Sequence, residues 1–387
     1  MPTIVFTGYL VRCPIGGFAW QAAHYLLGFR SLGYDTWFYE DTGELNCEFA
    51  LNPVTGEFAP KYDYGIRAAA NFLTSIGFGD RWVFVDHRRG IKYGPGAERV
   101  RALLAESDIL VSLGPVNRFP PERPPGRPSV FIDLDPVYLQ LKLANGDKSL
   151  AALLDAYSVH FTFGENIGNG AAALPAGGYT WRPTRQPVII DLWAHAGPPR
   201  RGYTTVGKWN SQERDLSYAG QTFRWRKRTE WLRFLDLPAK TSASFEMAMD
   251  VDSVPGDREL LGAHGWRIVD PVSLSADPWR YRDYIRSSRA EFTVAKDMNV
   301  RLRSGWFSDR SACYLAAARP AVEQDTGFSG VLPLGPGLHA FNTLGEAADA
   351  VCAIESDYDA ASAHASAVAR EYFAADKVLR SLLSPVE

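Results

Sequence analysis

Short apolar runs alternate with longer stretches of helix formers from Thr3 onward, and no other feature constrains the fold of this chain as tightly. The first series of runs covers residues 3–10, 34–40, 82–85, 108–113, 130–132 and 159–163. The first is apolar and each of the others is short and strand-like. Helical stretches at 20–32, 64–76, 97–105 and 150–156 alternate with them, and Gly33 follows the first as a C′ glycine. This order predicts a parallel sheet wrapped by helices, with its ligand edge at the carboxyl ends of the strands. Arg12, Gly114, Asp133 and Gly164 belong to that edge, with Gly16 and Gly17 in the loop after the first strand. No Gly-x-Gly-x-x-Gly follows the first strand, which argues against a nicotinamide dinucleotide.

Residues 174–199 include Pro175, Gly177, Gly178, Pro183, Pro187, Pro198 and Pro199, a composition that interrupts helix and strand alike. Trp181, Ile189, Ile190 and Trp193 need burial, so an ordered crossing is expected here. A second alternation follows, with strands at 203–209, 244–249, 266–269, 291–294 and 321–324. Its helices fall at 226–235, 257–263, 278–287 and 312–318, and two more at 345–354 and 360–383 close the chain. The prediction is an α/β protein of two Rossmann-like doubly wound domains, residues 1–178 and 201–365. The crossing takes 179–200, and a last helix at 366–387 completes the chain.

A net charge of −3 suggests neither nucleic acid nor a membrane surface as partner. No apolar run reaches the roughly 18 residues of a membrane span. The opening residues read as a strand rather than a signal peptide. Cys13, Cys47, Cys313 and Cys352 are scattered without a Cys-x-x-Cys pair, so a reduced, cytoplasmic setting is expected and a zinc site is not.

Residues 301–330 say most about function. Ser304-Gly305 allow a tight turn, and Ser308 or Asp309 suits a helix N-cap. Arg319-Pro320 stops that helix, and Asp325-Thr326-Gly327 turns the chain out of the next strand. A helix N-terminus aimed into a cleft offers free N–H groups and a positive dipole end, a ready site for a diphosphate.

Gly305-Trp306-Phe307-Ser308, a helix, Pro320, then Gln324-Asp325 and Gly327 resemble the donor-binding segment of GT-B-type glycosyltransferases. The resemblance implies two domains facing a central cleft, with the nucleotide sugar on the second domain and the acceptor on the first. In many retaining members two glutamates flank this turn; here those slots hold Gly305 and Cys313. Plant-type inverting members place a histidine where this chain has Arg303.

On that resemblance the donor side comprises Lys208, Arg226, Lys227, Lys296, Arg303, Ser304, Gly305, Trp306, Phe307, Ser308, Asp325, Thr326 and Gly327. Arg226-Lys227 reads equally as a solvated helix face. Residues 271–279 would meet the base, with Trp279 either stacked on it or packed as an indole. The acceptor side comprises Arg12, Gly16 and Gly17, and a second glycine loop runs from Gly164 to Gly170. Asp133-Leu134-Asp135 is an Asp-x-Asp, which elsewhere holds a metal, but it lies in the half expected to bind acceptor. Neither Mg²⁺ nor Mn²⁺ is expected. Asp133, Asp135 or His87 can act as general base, and the choice stays open. His24, on the first helix, reads as structural. The expected activity is metal-independent transfer of a sugar from a nucleotide-sugar co-substrate to an acceptor, with no separate cofactor. A nucleotide-sugar epimerase and a silent nucleotide-sugar-binding protein are the alternatives.

Overall fold

The computed structural model describes the chain except for residues 44–49, 168–170, 173, 195–196, 200, 212–213 and 387. Cys47, Gly168 and Gly170 lie outside the described residues.

Eight strands form the first sheet: β1 (Thr3–Thr7), β2 (Asp35–Asp41), β3 (Trp82–Asp86), β4 (Ile91–Tyr93), β5 (Ile109–Leu113), β6 (Ser129–Asp133), β7 (Val159–Thr162) and β8 (Trp181–Pro183). Their order is β8-β7-β6-β5-β1-β2-β3-β4, parallel except for β4, which pairs antiparallel with β3. Six form the second: β9 (Tyr203–Gly207), β10 (Phe245–Met249), β11 (Trp266–Val269), β12 (Ala290–Thr293), β13 (Ala321–Gln324) and β14 (Leu338–Phe341). Their order is β11-β10-β9-β12-β13-β14, all parallel. The order reverses at β1 in one sheet and at β9 in the other, and ligands of such sheets lie outside the carboxyl ends at that reversal.

The central strands are inaccessible on both faces, as in β10, where Phe245 to Met249 are all buried and the one charged side chain, Glu246, is paired with Arg201 and Arg267. Helix α1 (Gly16–Ser31) follows β1 and ends at Gly33, whose φ of +94° makes the expected left-handed exit. The strands β4, β8 and β14 were not predicted. All three are edge strands, and a short edge takes its shape from its neighbour's backbone more than from its own pattern.

The closing helix expected at 360–383 is broken. Tyr358–Val368 is helical, a π turn spans Ala369–Phe373, and a last helix covers Ala375–Leu383. Ala374 is extended at the break. There Val188 N–H donates to Phe373 O (2.7 Å) and Ala375 N–H donates to Val188 O (3.0 Å), tying the chain's end to the crossing. The last helix packs on α1 at Gly28, where a Cβ would stand 2.3 Å from Leu379. Trp181, Ile190 and Trp193 are buried, as expected of an ordered crossing. His24 is fully buried, its ring between Ile189 N–H (3.0 Å) and the Trp193 indole N–H (2.9 Å). Burial pushes its pKa down to about 3, so it is a neutral packing residue.

Candidate functional site

A cleft of ≈ 570 Å³ opens between the carboxyl edges of the two sheets. Gly207 and Lys208 reach it from the end of β9, Asp250 from β10, Pro271 and Val272 from β11 and Lys296 from β12. Helix α2 (Pro278–Ser287) contributes Tyr281. Helix α3 (Asp309–Ala316) points its N-terminus at the cleft, where Ser308, Asp309 and Arg310 line the wall. Ile15, Gly17, Phe18, Leu134, Asp135 and Phe163 face them from the first sheet.

Six cations line the cleft, all from the second lobe: Lys208, Arg214, Arg226, Lys227, Lys296 and Arg310. Four are held by carboxylates. Lys208 Nζ lies 2.7 Å from Asp250, Arg226 Nη2 2.8 Å from Asp215, Lys296 Nζ 2.7 Å from Asp135 and Arg310 Nε 2.5 Å from Glu291. Arg310 also donates to Val206 O (2.5 Å) and to Thr293 Oγ1 (2.9 Å), which fixes its guanidinium below the helix start. Arg214 stacks over Trp225 at 5.0 Å, and Lys227 Nζ lies 5.6 Å from the Trp306 ring centre.

Lys227 is within ion-pairing distance of no carboxylate among the described residues. Burial, with Arg310 nearby, pushes its pKa down to about 7. Behind the wall, β13 and β12 bring Glu323 and Glu291 into the interior at zero exposure. Neither oxygen of Glu323, nor Oε2 of Glu291, reaches a hydrogen-bond partner among the described residues. Burial pushes the Glu323 carboxyl up to about 8. Buried acids behind a row of cations, with shifted pKa values, mark this wall as a candidate functional site.

The segment 303–307 takes a different role from the one expected. Asn166 of the first lobe docks on it: Asn166 N–H donates to Ser304 O (3.0 Å), and Asn166 Nδ2 donates to Arg303 O (3.0 Å) and Gly327 O (3.3 Å). A Cβ on Gly305 would stand 2.8 Å from Asn166 N, and one on Gly327 2.6 Å from Asn166 Nδ2. Both glycines have φ in the left-handed region, +78° and +95°. They admit the other lobe rather than a phosphate. Ser304 Oγ donates to Asn299 Oδ1 (2.8 Å), Thr326 Oγ1 to the Trp306 carbonyl, and Arg303 Nη2 to Asp325 Oδ2 (3.0 Å). Phe307 packs between Phe328 and Phe373. Of this segment, Trp306 and Ser308 line the cleft; Arg303, Ser304, Gly305, Phe307, Asp325, Thr326 and Gly327 do not. Ser308 occupies the N-cap of α3, yet its hydroxyl makes no capping bond.

Other expected residues divide in the same way. Lys208, Arg226, Lys227, Lys296, Asp135 and Gly17 line the cleft. Arg12 is fully buried, its Nε 3.0 Å from Glu40, and its Nη2 donates to Val116 O (2.7 Å) and Asn117 Oδ1 (3.2 Å). Gly16 makes room for Tyr281, whose Cβ would lie 2.4 Å from an added methyl. Asp133 is buried and accepts from Gln140 Nε2 (2.9 Å), Thr162 Oγ1 (2.9 Å) and Asp135 N–H (3.0 Å), burial raising its pKa to about 7. His87 lies 3.1 Å from Asp41 and away from the cleft lining. The two carboxylates of the Asp-x-Asp therefore diverge, one inward and one across to Lys296. Trp279 packs edge-on against Trp20 at 5.0 Å, the indole reading.

Arg310, Arg214 and Trp225 line the cleft and were not predicted. Arg310 did leave a signal: a cation in a helix's first turn opposes the dipole and calls for a partner. Arg214 and Trp225 flank a short hairpin, Leu216–Tyr218 with Gln221–Phe223, and carry no periodic pattern.

No family model and no curated protein matches the chain. Solved structures do, along its full length. AviGT4, a glycosyltransferase involved in avilamycin A biosynthesis, aligns with TM-score 0.56 at 12% identity, over 100% of this chain and 97% of its own. HepE from Anabaena in complex with UDP-glucose gives 0.59 at 10%, over 100% and 99%. The fold is GT-B. An α-glucosyltransferase in complex with UDP and a 13-mer DNA gives 0.60 at 11%, over 100% and 99%. At such identities the shared GT-B frame places the cleft, and the role of each residue in it rests on the geometry above.

Proposed function

We propose that the protein is a glycosyltransferase that moves a sugar from a nucleoside-diphosphate donor to an acceptor hydroxyl. One observation carries this reading: all six cleft cations stand on one wall of a GT-B cleft, around a helix N-terminus, and a lone carboxylate faces them from the other wall among the described residues. In the reaction the bond from the anomeric carbon to the diphosphate oxygen breaks, and its electron pair leaves with the nucleoside diphosphate. A bond forms to the acceptor oxygen, whose proton passes to a base. Lys227, Arg310 and the first turn of α3 stabilise the charge that develops on the leaving group. Asp135, on the acceptor wall, is the base of choice, and Lys296 holds it in place. With side chains and helix amides in that role, the reaction needs no divalent metal. No helix among the described residues is long and apolar enough to cross a membrane.

Two of the fold relatives carry UDP or UDP-glucose, so UDP-sugars head the donor series, followed by GDP- and dTDP-sugars. A true donor raises the melting temperature, because it binds the native state alone. Acceptor-dependent release of nucleoside diphosphate that persists in EDTA supports transfer without metal. Donor turnover in the absence of acceptor points to the epimerase instead, and binding without turnover to a silent receptor.

A further inference from the structure

The transferase reading leaves the acceptor unnamed, and the two walls of the cleft restrict it. The first-lobe wall is formed by Ile15, Phe18, Leu51, Pro53, Leu134 and Phe163, with Gly17, Gly56, Gln21 and Asp135 as its remaining lining. Among the described residues this wall holds no lysine, arginine or histidine. Its outer part is a hairpin, Ala50–Leu51 paired with Phe58–Ala59, which is tied to the loop after β1 by Leu51 N–H donating to Arg12 O (2.8 Å). Val54 and Phe58 on this hairpin are 66% and 58% exposed, two of the most exposed large apolar side chains among the described residues.

The cation that could have served this wall is turned away. Arg12, in the loop beside it, is enclosed by Glu40, Val116 and Asn117. A phosphorylated acceptor, or a nucleic acid, needs cations where it lies, because affinity for phosphates comes mainly from lysine and arginine. A free sugar needs a fan of hydroxyl, amide and carboxylate partners. This wall offers Gln21, already donating to Asp309 (3.2 Å), and Asp135.

We propose that the acceptor is an uncharged, largely apolar hydroxyl compound, an aryl alcohol or a molecule of similar character. It rests on the Phe18–Leu51–Phe163 wall and presents its hydroxyl towards Asp135. This rests on the transferase reading above. It separates this chain from the fold relative solved with DNA, since here the acceptor is recognised by apolar area rather than by charge.

The test uses the full chain and the donor selected by thermal shift. Acceptor probes are 2-naphthol and 4-phenylphenol, set against maltose, glucose 6-phosphate and a 13-mer oligodeoxynucleotide. The readouts are release of nucleoside diphosphate and calorimetric binding in the presence of donor. The expected result is binding and turnover with the aryl alcohols, at least tenfold better in kcat/KM than with any other probe. Leu51→Asp raises the aryl alcohol's KM about tenfold, while the donor Kd stays within twofold. Phe18→Ser, on a different element, acts in the same direction if one mutant hairpin fails to fold. Preference for the phosphate or the oligonucleotide, failure of both aryl alcohols to bind, or an unchanged KM in both variants overturns the proposal. With donor binding intact, these results count against the apolar acceptor alone. If no nucleotide sugar binds, the transferase reading falls and takes this one with it.

Discussion

Each lobe buries an arginine against a glutamate near the carboxyl edge of its sheet, and the two pairs are finished differently. In the first lobe Glu40 accepts from Leu10, Val11 and Arg12 N–H groups at 2.6–2.9 Å as well as from the Arg12 side chain. The guanidinium finds Val116 and Asn117 besides. In the second lobe Arg310 faces the cleft, Glu291 leaves Oε2 without a partner, and Glu323 beside it has none for either oxygen among the described residues. A fully bonded ion pair builds a loop. An incompletely bonded one, with a cavity in front of it, holds field in reserve for a ligand.

The sharpest way to break this comparison is to remove the first-lobe arginine. Arg12→Ala strands a Glu40 carboxylate at zero exposure, and breaking a buried pair in this way costs about 3–5 kcal/mol. Urea unfolding should show that loss in the midpoint with little change in slope. Molecules that still fold should keep their nucleotide affinity, because Arg12 does not face the cleft. An unaltered midpoint, or a lost donor site in folded protein, would put both pairs in one class.

Lys227→Met makes the opposite prediction. Lys227 has no ion pair to break among the described residues, so stability holds or rises slightly, whereas turnover falls by roughly 10²–10³-fold if this cation meets the leaving diphosphate. Unchanged kcat would remove Lys227 from the site. A fall in stability with turnover intact would make it a packing residue.

Titration sharpens the same point. The Lys227 ammonium, pushed down to about 7 by burial, is cationic below neutrality and loses its proton above it. A nucleotide sugar's two phosphates do not titrate there, so the ligand's own charge is constant. Donor affinity should hold below about pH 7 and fall above it by up to about tenfold per pH unit, one proton being linked to binding. Glu323, raised to about 8, ionises at slightly higher pH and adds repulsion in the same direction. Lys227→Met should remove most of the slope between pH 7 and 9. A wild-type affinity that is flat, or that rises with pH, contradicts the assignment.

Much of the frame was legible because the strands of a covered parallel sheet are short and mainly apolar, and helix-forming stretches separate them. The strand Trp266–Val269 and the helices Asp257–Ala263 and Pro278–Ser287 fall where their patterns place them. Leu338–Phe341 escaped because Leu-His-Ala-Phe carries too little apolar run to stand out at a sheet's edge. The break at Ala374 escaped because its cause is Val188, far away in the chain. The site divides along the same line. Lys208 and Lys296 sit just beyond strand ends, a local property, and both line the cleft. Gly305 and Gly327 were legible as turn residues, but their partner is Asn166 of the other lobe, which no local pattern can name.

Lys208 completes the comparison with the smallest expected effect. Its place after β9 made it an expected donor contact, and it does line the cleft. Yet its side chain is 68% exposed and paired with Asp250 at 2.7 Å. Water screens such a pair, and a surface ion pair is worth about 0–1 kcal/mol. Lys208→Ala should therefore lower kcat/KM by less than about tenfold, with most of the change in KM and more of it at low ionic strength. Lys227→Met, assayed alongside, supplies the scale. If Lys208→Ala proves as damaging as Lys227→Met, the donor's phosphates lie at the rim of the cleft rather than against its buried floor.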